Sequence, residues 1–468
     1  MEGIRLMSAN IKEFDIAIIG SGPGGEGAAV TLAANGFNVV IIEKAETVGG
    51  NSVHLGTIPS KALRHSAERM SEIETNPLFH HTRTEDHEYF KHIRNASRDI
   101  ISNIASQKKL LFKQLGITVI HGCAEFIDKQ NLLIKRETDS CRIKSEKIII
   151  AAGSHPYHPQ EIDFSGTRIH DSDSILELEN TPKDICIYGA GVIGCEYASI
   201  FNAIGCKVTL IDSREQLLSF LDHEISEALA FHMRSKGITI YHNEEFESAS
   251  ESQNSVTLKL KSQKEIKSEV LLWSNGRTGN SSNLKLENIG IKANRRGQLE
   301  TDNNYRTTVE NIYAVGDIIG FPSLASAAYD QGRFVARQII DNNTENYLTD
   351  KIPSGIYTIP EISSIGLTEK ELTEKKIPYK VGRANYKNLA RAQIRGLTAG
   401  VLKILFHSET GEILGVHCFG YQASEILHIG QAVMNSADNN INYFTQNTFN
   451  YPTMAEAYRT AAVNGLME

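Results

Sequence analysis

The chain of 468 residues lacks an excess of positive charge, because 48 Lys and Arg stand against 56 Asp and Glu, for a net charge of −8. A surface that binds nucleic acid or anionic lipid generally needs a basic excess, so neither is expected as a partner. Proline is scarce, at 11 residues, and 41% of the residues are apolar. This composition excludes disordered and collagen-like chains and is typical of a globular protein.

Cysteine is also scarce and shows no motif. No two of the six cysteines form a CxxC pair, which would indicate a dithiol or zinc site. The sequence contains no apolar run long enough to cross a bilayer, and residues 1–14 carry charges without an apolar signal core. We therefore expect a cytoplasmic protein with buried or free thiols and no membrane span. The cysteines are Cys123, Cys141, Cys186, Cys195, Cys206 and Cys418.

A glycine-rich turn follows the first predicted strand, an apolar run over residues 15–19. The turn reads Gly20-Ser21-Gly22-Pro23-Gly24-Gly25, and the alanine-rich residues 26–35 after it predict a helix. A second strand over residues 39–42 ends at Glu43, close to the position that the motif gives its acid. This order of strand, glycine turn, helix and strand with a terminal acid is typical of a mononucleotide-binding unit.

The same pattern occurs again later in the chain. A predicted strand over residues 184–188 leads into Gly189-Ala190-Gly191-Val192-Ile193-Gly194, and a predicted helix follows over residues 195–203. The next strand, over residues 207–211, ends at Asp212, which is as far from Gly194 as Glu43 is from Gly25. The two copies lie one domain length apart, so they predict two separate nucleotide-binding domains.

Each glycine of such a motif has its own task. The first allows a tight turn, the second lets the backbone approach a pyrophosphate, and the third allows the helix to pack on the strand. The terminal acids, Glu43 and Asp212, are predicted to accept hydrogen bonds from ribose hydroxyls. Two such sites predict a bound FAD and an exchanging NAD(H) or NADP(H). The predicted cofactor-binding glycines are Gly20, Gly22 and Gly25 in the first copy and Gly189, Gly191 and Gly194 in the second.

A further acid ends a predicted strand in the segment Tyr313-Ala314-Val315-Gly316-Asp317. We expect Asp317 to receive ribityl or ribose hydroxyls of the flavin nucleotide, and we predict that Gly153 belongs to the same set of cofactor-binding residues. The alternative for Asp317 is a carboxylate that only stabilises its own turn.

The second site does not discriminate clearly between NAD and NADP. Asp212 favours the unmodified 2′-hydroxyl of NAD, and its charge would repel a 2′-phosphate. Arg214, two residues later, is able to bind that phosphate through two hydrogen bonds. The alternative is that Arg214 is a solvated surface residue.

Residues 49–63, which read GGNSVHLGTIPSKAL, resemble the redox-centre segment of the flavoprotein disulfide reductases. That family includes dihydrolipoyl dehydrogenase, glutathione reductase and mercuric reductase. Its pattern has two cysteines where this chain has Ser52 and Thr57. A disulfide needs two sulfurs, so reduction of a disulfide substrate by the usual route of the family is excluded.

The C-terminal segment departs from the family in the same direction. The family has an acid/base histidine where this chain has Tyr451, and tyrosine, with a pKa of about 10, is a poor proton carrier at neutral pH. Glu456 is retained. Thr57 and Tyr451 instead match the soluble, Si-specific pyridine nucleotide transhydrogenases, a subfamily that the chain resembles over nearly its whole length. That subfamily usually keeps one cysteine at the position of Ser52.

The resemblance implies an α/β fold with two Rossmann-like dinucleotide-binding domains and an α+β C-terminal dimerisation domain. The implied FAD-binding domain has two segments, residues 1–160 and residues 281–350. The NAD(P)-binding domain would span residues 161–280, and the dimerisation domain residues 351–468. A homodimer or a larger homo-oligomer is expected.

The implied activity is reversible, FAD-dependent hydride transfer between NADPH and NAD⁺, with both nucleotides using one site in turn. The resemblance places Lys61 beside the flavin and pairs it with Glu196. It places Tyr451 over the flavin of the partner subunit and adds Glu456 to the catalytic set. For the Lys61–Glu196 pair the alternative is a structural salt bridge, and for Tyr451 it is interface packing.

Two other functions remain open at this point. An NAD(P)H diaphorase or oxidase would pass electrons to a quinone or to oxygen, and a non-catalytic relative would serve as a structural subunit. Retention of both glycine motifs and of Lys61 and Glu196 disfavours the structural subunit. No metal site is expected, because His80, His81 and His87 lie in a polar stretch that is typical of solvated surface.

Overall fold

The computed structural model describes residues 11–75, 89–341 and 351–467. His80, His81 and His87 lie outside these residues. The chain divides into two compact units, and the predicted domain bounds stay a prediction. Unit 1 contains the described residues within 1–62, 94–157 and 276–349, and unit 2 contains those within 63–93, 158–275 and 350–468.

Unit 1 is built on a mixed sheet with a parallel half and an antiparallel half. The parallel half consists of apolar strands that are buried on both faces, and Val39–Glu43 is buried at every residue. The order across the sheet is Thr118–His121, Val39–Glu43, Lys12–Ile19, Ser140–Ile150, Asn131–Lys135 and Cys123–Phe126, and Ile312–Ala314 also pairs in parallel with Ser140–Ile150. A separate antiparallel pair joins Ser154–Pro156 to Arg277–Gly279.

Two helices of unit 1 pack closely, and their glycines make this possible. A Cβ atom on Gly27 would lie 2.3 Å from the backbone oxygen of Tyr329, and one on Gly332 would lie 2.0 Å from that of Gly24. This close contact with Ala325–Asp341 fixes the position of Pro23–Ala34, the helix that follows the first glycine turn. The helices with residues in unit 1 are Pro23–Ala34, Gly50–His54, Thr57–Thr75, Tyr89–Gln114 and Ala325–Asp341, with short 3-10 turns at Leu286–Ile289 and Gly316–Ile319.

Unit 2 begins with a parallel sheet around the second glycine turn. Its strand order is Thr239–Tyr241, Lys207–Ile211, Asp184–Tyr188, Val270–Trp273 and Ile169–Asp171. The helices Val192–Ala203 and His223–Ser235 and the 3-10 turn Ser174–Glu177 accompany it, and the antiparallel strands Phe246–Glu251, Val256–Leu260 and Glu265–Ser268 form a small additional sheet. One face of the parallel sheet packs against the helices in one buried core, and the other face packs against the small antiparallel sheet in a second.

The C-terminal part of unit 2 is an antiparallel sheet with helices, as an α+β domain requires. The strand order is Ser354–Ile356, Ile362–Gly366, Ile413–Gly420, Gly400–His407 and Tyr379–Asn385. The helices are Glu369–Glu374, Ala390–Arg395, Ala423–Met434, Tyr443–Gln446 and Glu456–Met467, with a 3-10 turn at Tyr386–Asn388.

The predicted α/β class is confirmed. Both helices after the glycine turns begin one helical turn earlier than the sequence pattern predicted, at Pro23 and Val192. Pro23 accounts for the first case, because proline lacks the N–H that an opening helical turn leaves unpaired. None of the helices in the described part of the chain has the length and apolar character needed to cross a membrane.

Candidate dinucleotide-binding sites

The first and third glycines of the first turn are required by the protein itself. Gly20 has a φ of +106°, and a Cβ atom there would lie 2.3 Å from the backbone oxygen of Ala151. A Cβ atom on Gly25 would lie 2.0 Å from the backbone oxygen of Gly20. Both positions therefore exclude any side chain, whether or not a ligand is bound.

The middle glycine, Gly22, is different. Its φ of −66° is accessible to any residue. A Cβ atom there would meet only the Cα atom of Gly50, at 4.0 Å. Neither conformation nor packing within the protein requires a glycine here, so the space beside Gly22 is left for something outside the chain. It lies at the N-terminus of Pro23–Ala34, where backbone N–H groups and the helix dipole favour an anion.

Glu43 fastens this turn from the end of the neighbouring strand. One oxygen of its buried carboxylate accepts hydrogen bonds from the backbone N–H and the hydroxyl of Ser21, at 3.0 and 2.6 Å. The other oxygen accepts from the backbone N–H of Ala45 at 2.9 Å. The acid thus stabilises the glycine turn in addition to its predicted contact with a ribose, which stays a prediction.

Asp317 lies where the strand Ile312–Ala314 runs into a 3-10 turn, and a network fixes its carboxylate. The hydroxyl of Ser154 donates to Asp317 Oδ2 at 2.8 Å and accepts from Arg277 Nε at 2.8 Å. Gly153, with a φ of +70°, precedes this serine and accepts at its backbone oxygen from Asn280 N at 3.0 Å. The structure therefore brings Gly153 and Asp317, which lie far apart in sequence, to one place.

The second turn repeats the geometry of the first. A Cβ atom on Gly189, whose φ is +104°, would lie 2.7 Å from Ser274 O, and one on Gly194 would lie 1.9 Å from Gly189 O. Gly191 has a φ of −76°, and a Cβ atom there would have no neighbour within 4 Å. The middle glycine again leaves room at the N-terminus of a helix, here Val192–Ala203.

Asp212 and Arg214 bind each other. Asp212 Oδ1 accepts from the backbone N–H and from Nε of Arg214, both at 2.8 Å, and Oδ2 accepts from Arg214 Nη2 at 2.8 Å and from Ala190 N at 2.5 Å. Burial alone would raise the pKa of Asp212, but the hydrogen bonds from Arg214 outweigh it and hold the pKa below its usual value. Arg214 is therefore not a solvated surface residue without a partner.

The redox-centre segment presents hydroxyls. Ser52 lies in the short helix Gly50–His54, and its hydroxyl donates to the backbone oxygen of Gly49 at 3.2 Å. Thr57 is exposed and begins the helix Thr57–Thr75, which also carries Lys61. Lys61 is half-buried, and its ammonium lies 3.4 Å from the hydroxyl of Ser60.

The remaining predicted catalytic residues lie in unit 2. Glu196 is buried in the helix Val192–Ala203, and its carboxylate accepts from the backbone N–H of Tyr357 at 2.8 Å. Tyr451 is 72% exposed, and Glu456 is half-buried as the first residue of the helix Glu456–Met467. Lys61 belongs to unit 1, and its pairing with Glu196 stays a prediction.

All six cysteines lie within the described residues, and all are free. Burial raises the pKa of the Cys186, Cys206 and Cys418 thiols to about 12, and burial also raises the pKa of the Cys195 thiol. These four thiols stay protonated at neutral pH, and a protonated thiol is a poor nucleophile.

The family follows from the match of two models to nearly the whole chain. Residues 14–332 match the model described as pyridine nucleotide-disulphide oxidoreductase, and residues 352–462 match the dimerisation domain of the same family. The chain belongs to the pyridine nucleotide-disulphide oxidoreductase family. It is an oxidoreductase.

Curated relatives carry a more specific name. A protein of Vibrio cholerae serotype O1 (strain ATCC 39541), named soluble pyridine nucleotide transhydrogenase, is 54% identical over 456 residues, which cover 97% of this chain and 98% of the relative. A protein of the same name from Stutzerimonas stutzeri (strain A1501) is 53% identical over 459 residues, covering 97% and 99%.

Solved structures agree with the assignment to the pyridine nucleotide-disulphide oxidoreductase family. The HOCl-induced flavoprotein disulfide reductase RclA from Escherichia coli superposes with a TM-score of 0.87 at 27% identity, covering 96% of this chain and 99% of that one. LpdA from Mycobacterium tuberculosis superposes with a TM-score of 0.88 at 22% identity, covering 97% and 99%, and this likeness shows the fold alone.

The two turns fit the nucleotides that the family implies. Gly22 and Gly191 leave space beside a helix N-terminus, as a pyrophosphate needs. Asp317 Oδ2 is held by Ser154, while Asp317 Oδ1 has no hydrogen-bond partner within the described residues, so the carboxylate retains an acceptor for a flavin hydroxyl. The residues present thus suit FAD at the first turn and a nicotinamide nucleotide at the second.

Sequence reasoning missed the residues that hold these acids in place. Ser21 occupies a variable position of the glycine motif, and Ser154 and Arg277 lie 123 residues apart in sequence. The one available signal was the Asn275-Gly276-Arg277 turn, which follows the apolar strand Val270–Trp273.

Proposed function

We propose that the protein is an FAD-dependent pyridine nucleotide transhydrogenase, which transfers hydride reversibly between NADPH and NAD⁺. The observation that carries the proposal is the combination of two complete dinucleotide turns with hydroxyl side chains, Ser52 and Thr57, where the family has its redox cysteines. The names of relatives at 53–54% identity over the full chain support it.

The thiol chemistry of the family has no substitute among the buried cysteines. Cys186, Cys195, Cys206 and Cys418 are buried, with pKa values that burial raises far above neutrality. A disulfide relay needs an accessible thiolate beside a second sulfur. With Ser52 and Thr57 in place of the family's redox cysteines, we propose that electrons leave by a route other than a dithiol, and that a second nicotinamide nucleotide is the acceptor.

When bound, FAD supplies the reversible two-electron chemistry, taking hydride from one reduced nicotinamide and giving it to another oxidised one. The residues of the chain bind and orient. Gly22 and Gly191 open space for the pyrophosphates, while Glu43 and Asp212 lie at the strand ends where the ribose hydroxyls are expected. One site for both nicotinamides implies that the two substrates bind in turn.

Four residues are proposed to act nearer the reacting atoms. The positive charge of Lys61 favours the addition of negative charge to the flavin ring. Glu196 holds the backbone of Tyr357 and is proposed to balance Lys61. Tyr451, which is exposed in the isolated chain, and Glu456 are proposed to complete the site of a partner subunit, where a phenol ring would exclude water.

The match to a dimerisation domain supports a homo-oligomer. We propose that the assembly is a homodimer or a larger assembly built from it, and that it works in the cytoplasm on NAD(H) and NADP(H), without nucleic acid or membrane as a partner.

The decisive experiment mixes the purified yellow protein with NADPH and thio-NAD⁺ without oxygen, because reduced thio-NAD absorbs apart from NADPH. We expect the two nucleotides to change in a 1:1 ratio over many turnovers, with parallel double-reciprocal lines, which ping-pong kinetics require. A preparation treated to remove FAD is the control, and it should be inactive until FAD is restored.

The alternative functions give different results in the same assay. An oxidase or diaphorase would consume NADPH only after oxygen or a quinone is admitted and would leave thio-NAD⁺ oxidised. A structural relative would contain no flavin after purification. Either result would contradict the proposal.

A further inference from the structure

Asp212, the acid that is expected to discriminate against NADP, accepts hydrogen bonds from the protein at all of its acceptor positions. A carboxylate presents about four acceptor positions. Asp212 is buried and receives four hydrogen bonds, one from Ala190 N and three from Arg214. In this arrangement it has no acceptor position left for a ribose hydroxyl. A 2′-hydroxyl is therefore able to reach Asp212 only after the Arg214 side chain has moved away.

Only one edge of the Arg214 guanidinium forms hydrogen bonds with Asp212. The Nε and Nη2 atoms along one edge of its guanidinium bind Asp212. Nη1 donates to no group among residues 11–75, 89–341 and 351–467, and 46% of the side chain is exposed. Guanidinium has five N–H donors in a rigid planar fork and binds phosphate through two of them. The outer edge is thus left for a phosphate while the inner edge stays on Asp212.

We infer that Asp212 is the positioning residue of Arg214, and that their ion pair lets one site accept both nucleotides. With the pair closed, the outer edge of Arg214 binds the 2′-phosphate of NADP(H). With the pair open, Asp212 binds the 2′-hydroxyl of NAD(H). The inference deepens the proposed function and rests on it only for the statement that both nucleotides are substrates.

The inference reverses the usual expectation for the acid. If Asp212 acted only by repelling a 2′-phosphate, the substitution Asp212→Asn would strengthen the binding of phosphorylated nucleotides. If Asp212 positions Arg214, the same substitution weakens the binding of phosphorylated nucleotides, because a neutral amide holds the guanidinium less firmly than a carboxylate does. The sign of the change therefore separates the two roles.

The test is calorimetric titration of the full-length, FAD-bound protein with 2′,5′-ADP and with AMP, which differ only in the 2′-phosphate. We expect Asp212→Asn to lower the affinity for 2′,5′-ADP about three- to tenfold. Arg214→Ala should lower the affinity for 2′,5′-ADP about 10- to 100-fold. The same variant should bind AMP more tightly, because no ion pair then has to open before Asp212 reaches the 2′-hydroxyl. Opposite shifts of two probes cannot come from a general loss of folding.

Controls separate positioning from a structural role. In an Arg214→Ala background, Asp212→Asn should no longer weaken the binding of 2′,5′-ADP, since the residue that Asp212 positions is gone. Arg214→Lys should recover only part of the affinity, because lysine lacks the fork. Arg234→Ala, a change of an exposed arginine that binds His242 on the same unit, should leave both probes unchanged.

Two results would overturn the inference: tighter or unchanged binding of 2′,5′-ADP by Asp212→Asn, or weaker binding of AMP by Arg214→Ala. The transhydrogenation assay on the same preparations tests the proposed function separately. Binding that follows the expected pattern without hydride transfer would contradict the function alone, and hydride transfer with tighter binding by Asp212→Asn would contradict the inference alone.

Discussion

At the scale of single residues, the three glycines of each turn differ in what would meet a side chain. At Gly189 and Gly194 a Cβ atom would strike backbone within the protein, at 2.7 and 1.9 Å. At Gly191 it would meet nothing within 4 Å. Stability therefore requires the outer glycines, whereas only the bound nucleotide requires the middle one.

This difference predicts opposite behaviour for two alanine variants. Gly191→Ala should lower the free energy of unfolding by only about 1 kcal/mol, since alanine is a poorer helix N-cap than glycine but its Cβ atom would meet nothing within 4 Å. The variant should bind NAD⁺ with about tenfold lower affinity, or about 1.4 kcal/mol less binding free energy, because the added methyl group occupies the space beside the pyrophosphate. Gly194→Ala should lower the free energy of unfolding by about 2 kcal/mol or more, because backbone has to move.

Thermal unfolding and NAD⁺ titration of both variants check this pair. Each variant is the control for the other, since the two changes add the same methyl group to the same glycine turn. If Gly191→Ala bound NAD⁺ like the unchanged protein, the space beside Gly191 would not be the pyrophosphate site.

The positions of the acids were predictable from sequence, but their partners were not. Glu43 and Asp212 follow their last glycines at the same distance because the helix and second strand of the unit have a set length. The carboxylate of Asp317 is held through Ser154, which lies 163 residues away in sequence. Local periodicity carries no information about a contact of that kind.

At the scale of secondary structure elements, a buried lysine joins a strand to two helices. Lys403 lies in Gly400–His407, is 1% exposed, and binds Asp222 at 2.7 Å and Glu224 at 3.0 Å, as well as Glu369. These three carboxylates lie close enough to hold a metal ion, but Lys403 binds all three and supplies the compensating charge. The burial of this lysine was not predictable from the sequence, because Asp222 lies 181 residues away.

The substitution Lys403→Met should lower the free energy of unfolding by about 3–5 kcal/mol at pH 8, because it leaves the buried carboxylate of Asp222 without its cation. Lys135→Met removes an exposed pair with Glu125 instead and should cost less than about 1 kcal/mol. Denaturant titration of the two variants measures both effects, and equal losses would contradict a special role for Lys403.

The same cluster predicts a dependence on pH. Burial alone would raise the pKa of Asp222 and lower that of Lys403, but their mutual hydrogen bonds prevail, so the pKa of Asp222 is lowered and that of Lys403 is raised. The stabilisation is therefore present between the unfolded-state values of about 3.9 and 10.4 and is lost beyond them. In Lys403→Met the buried Asp222 should protonate more easily, so the loss of stability should be smaller at pH 5 than at pH 8.

At the scale of the whole molecule, the C-terminal helix presents an apolar face without a cover in the single chain. Val463, Leu466 and Met467 are exposed by 42%, 43% and 83%, and their spacing of three and four residues places them on one side of Glu456–Met467. An exposed apolar patch of this kind usually marks an interface. The sequence predicted a dimerisation domain here only through the family resemblance, because the helical periodicity does not show which face is covered by another chain.

Leu466→Glu should therefore weaken the assembly, since it places a charge within an apolar interface. Sedimentation should give the unchanged protein at least twice the chain mass of 51.8 kDa and shift the variant toward the single-chain mass on dilution. Leu110→Glu, on the helix Tyr89–Gln114, is the matched control, because Leu110 is 55% exposed and the same charge is introduced. If both variants kept the mass of the unchanged protein, the interface would lie elsewhere. If Leu466→Glu dissociated and also lost hydride transfer while still binding 2′,5′-ADP, the partner's contribution to the reacting site would be separated from nucleotide binding within one chain.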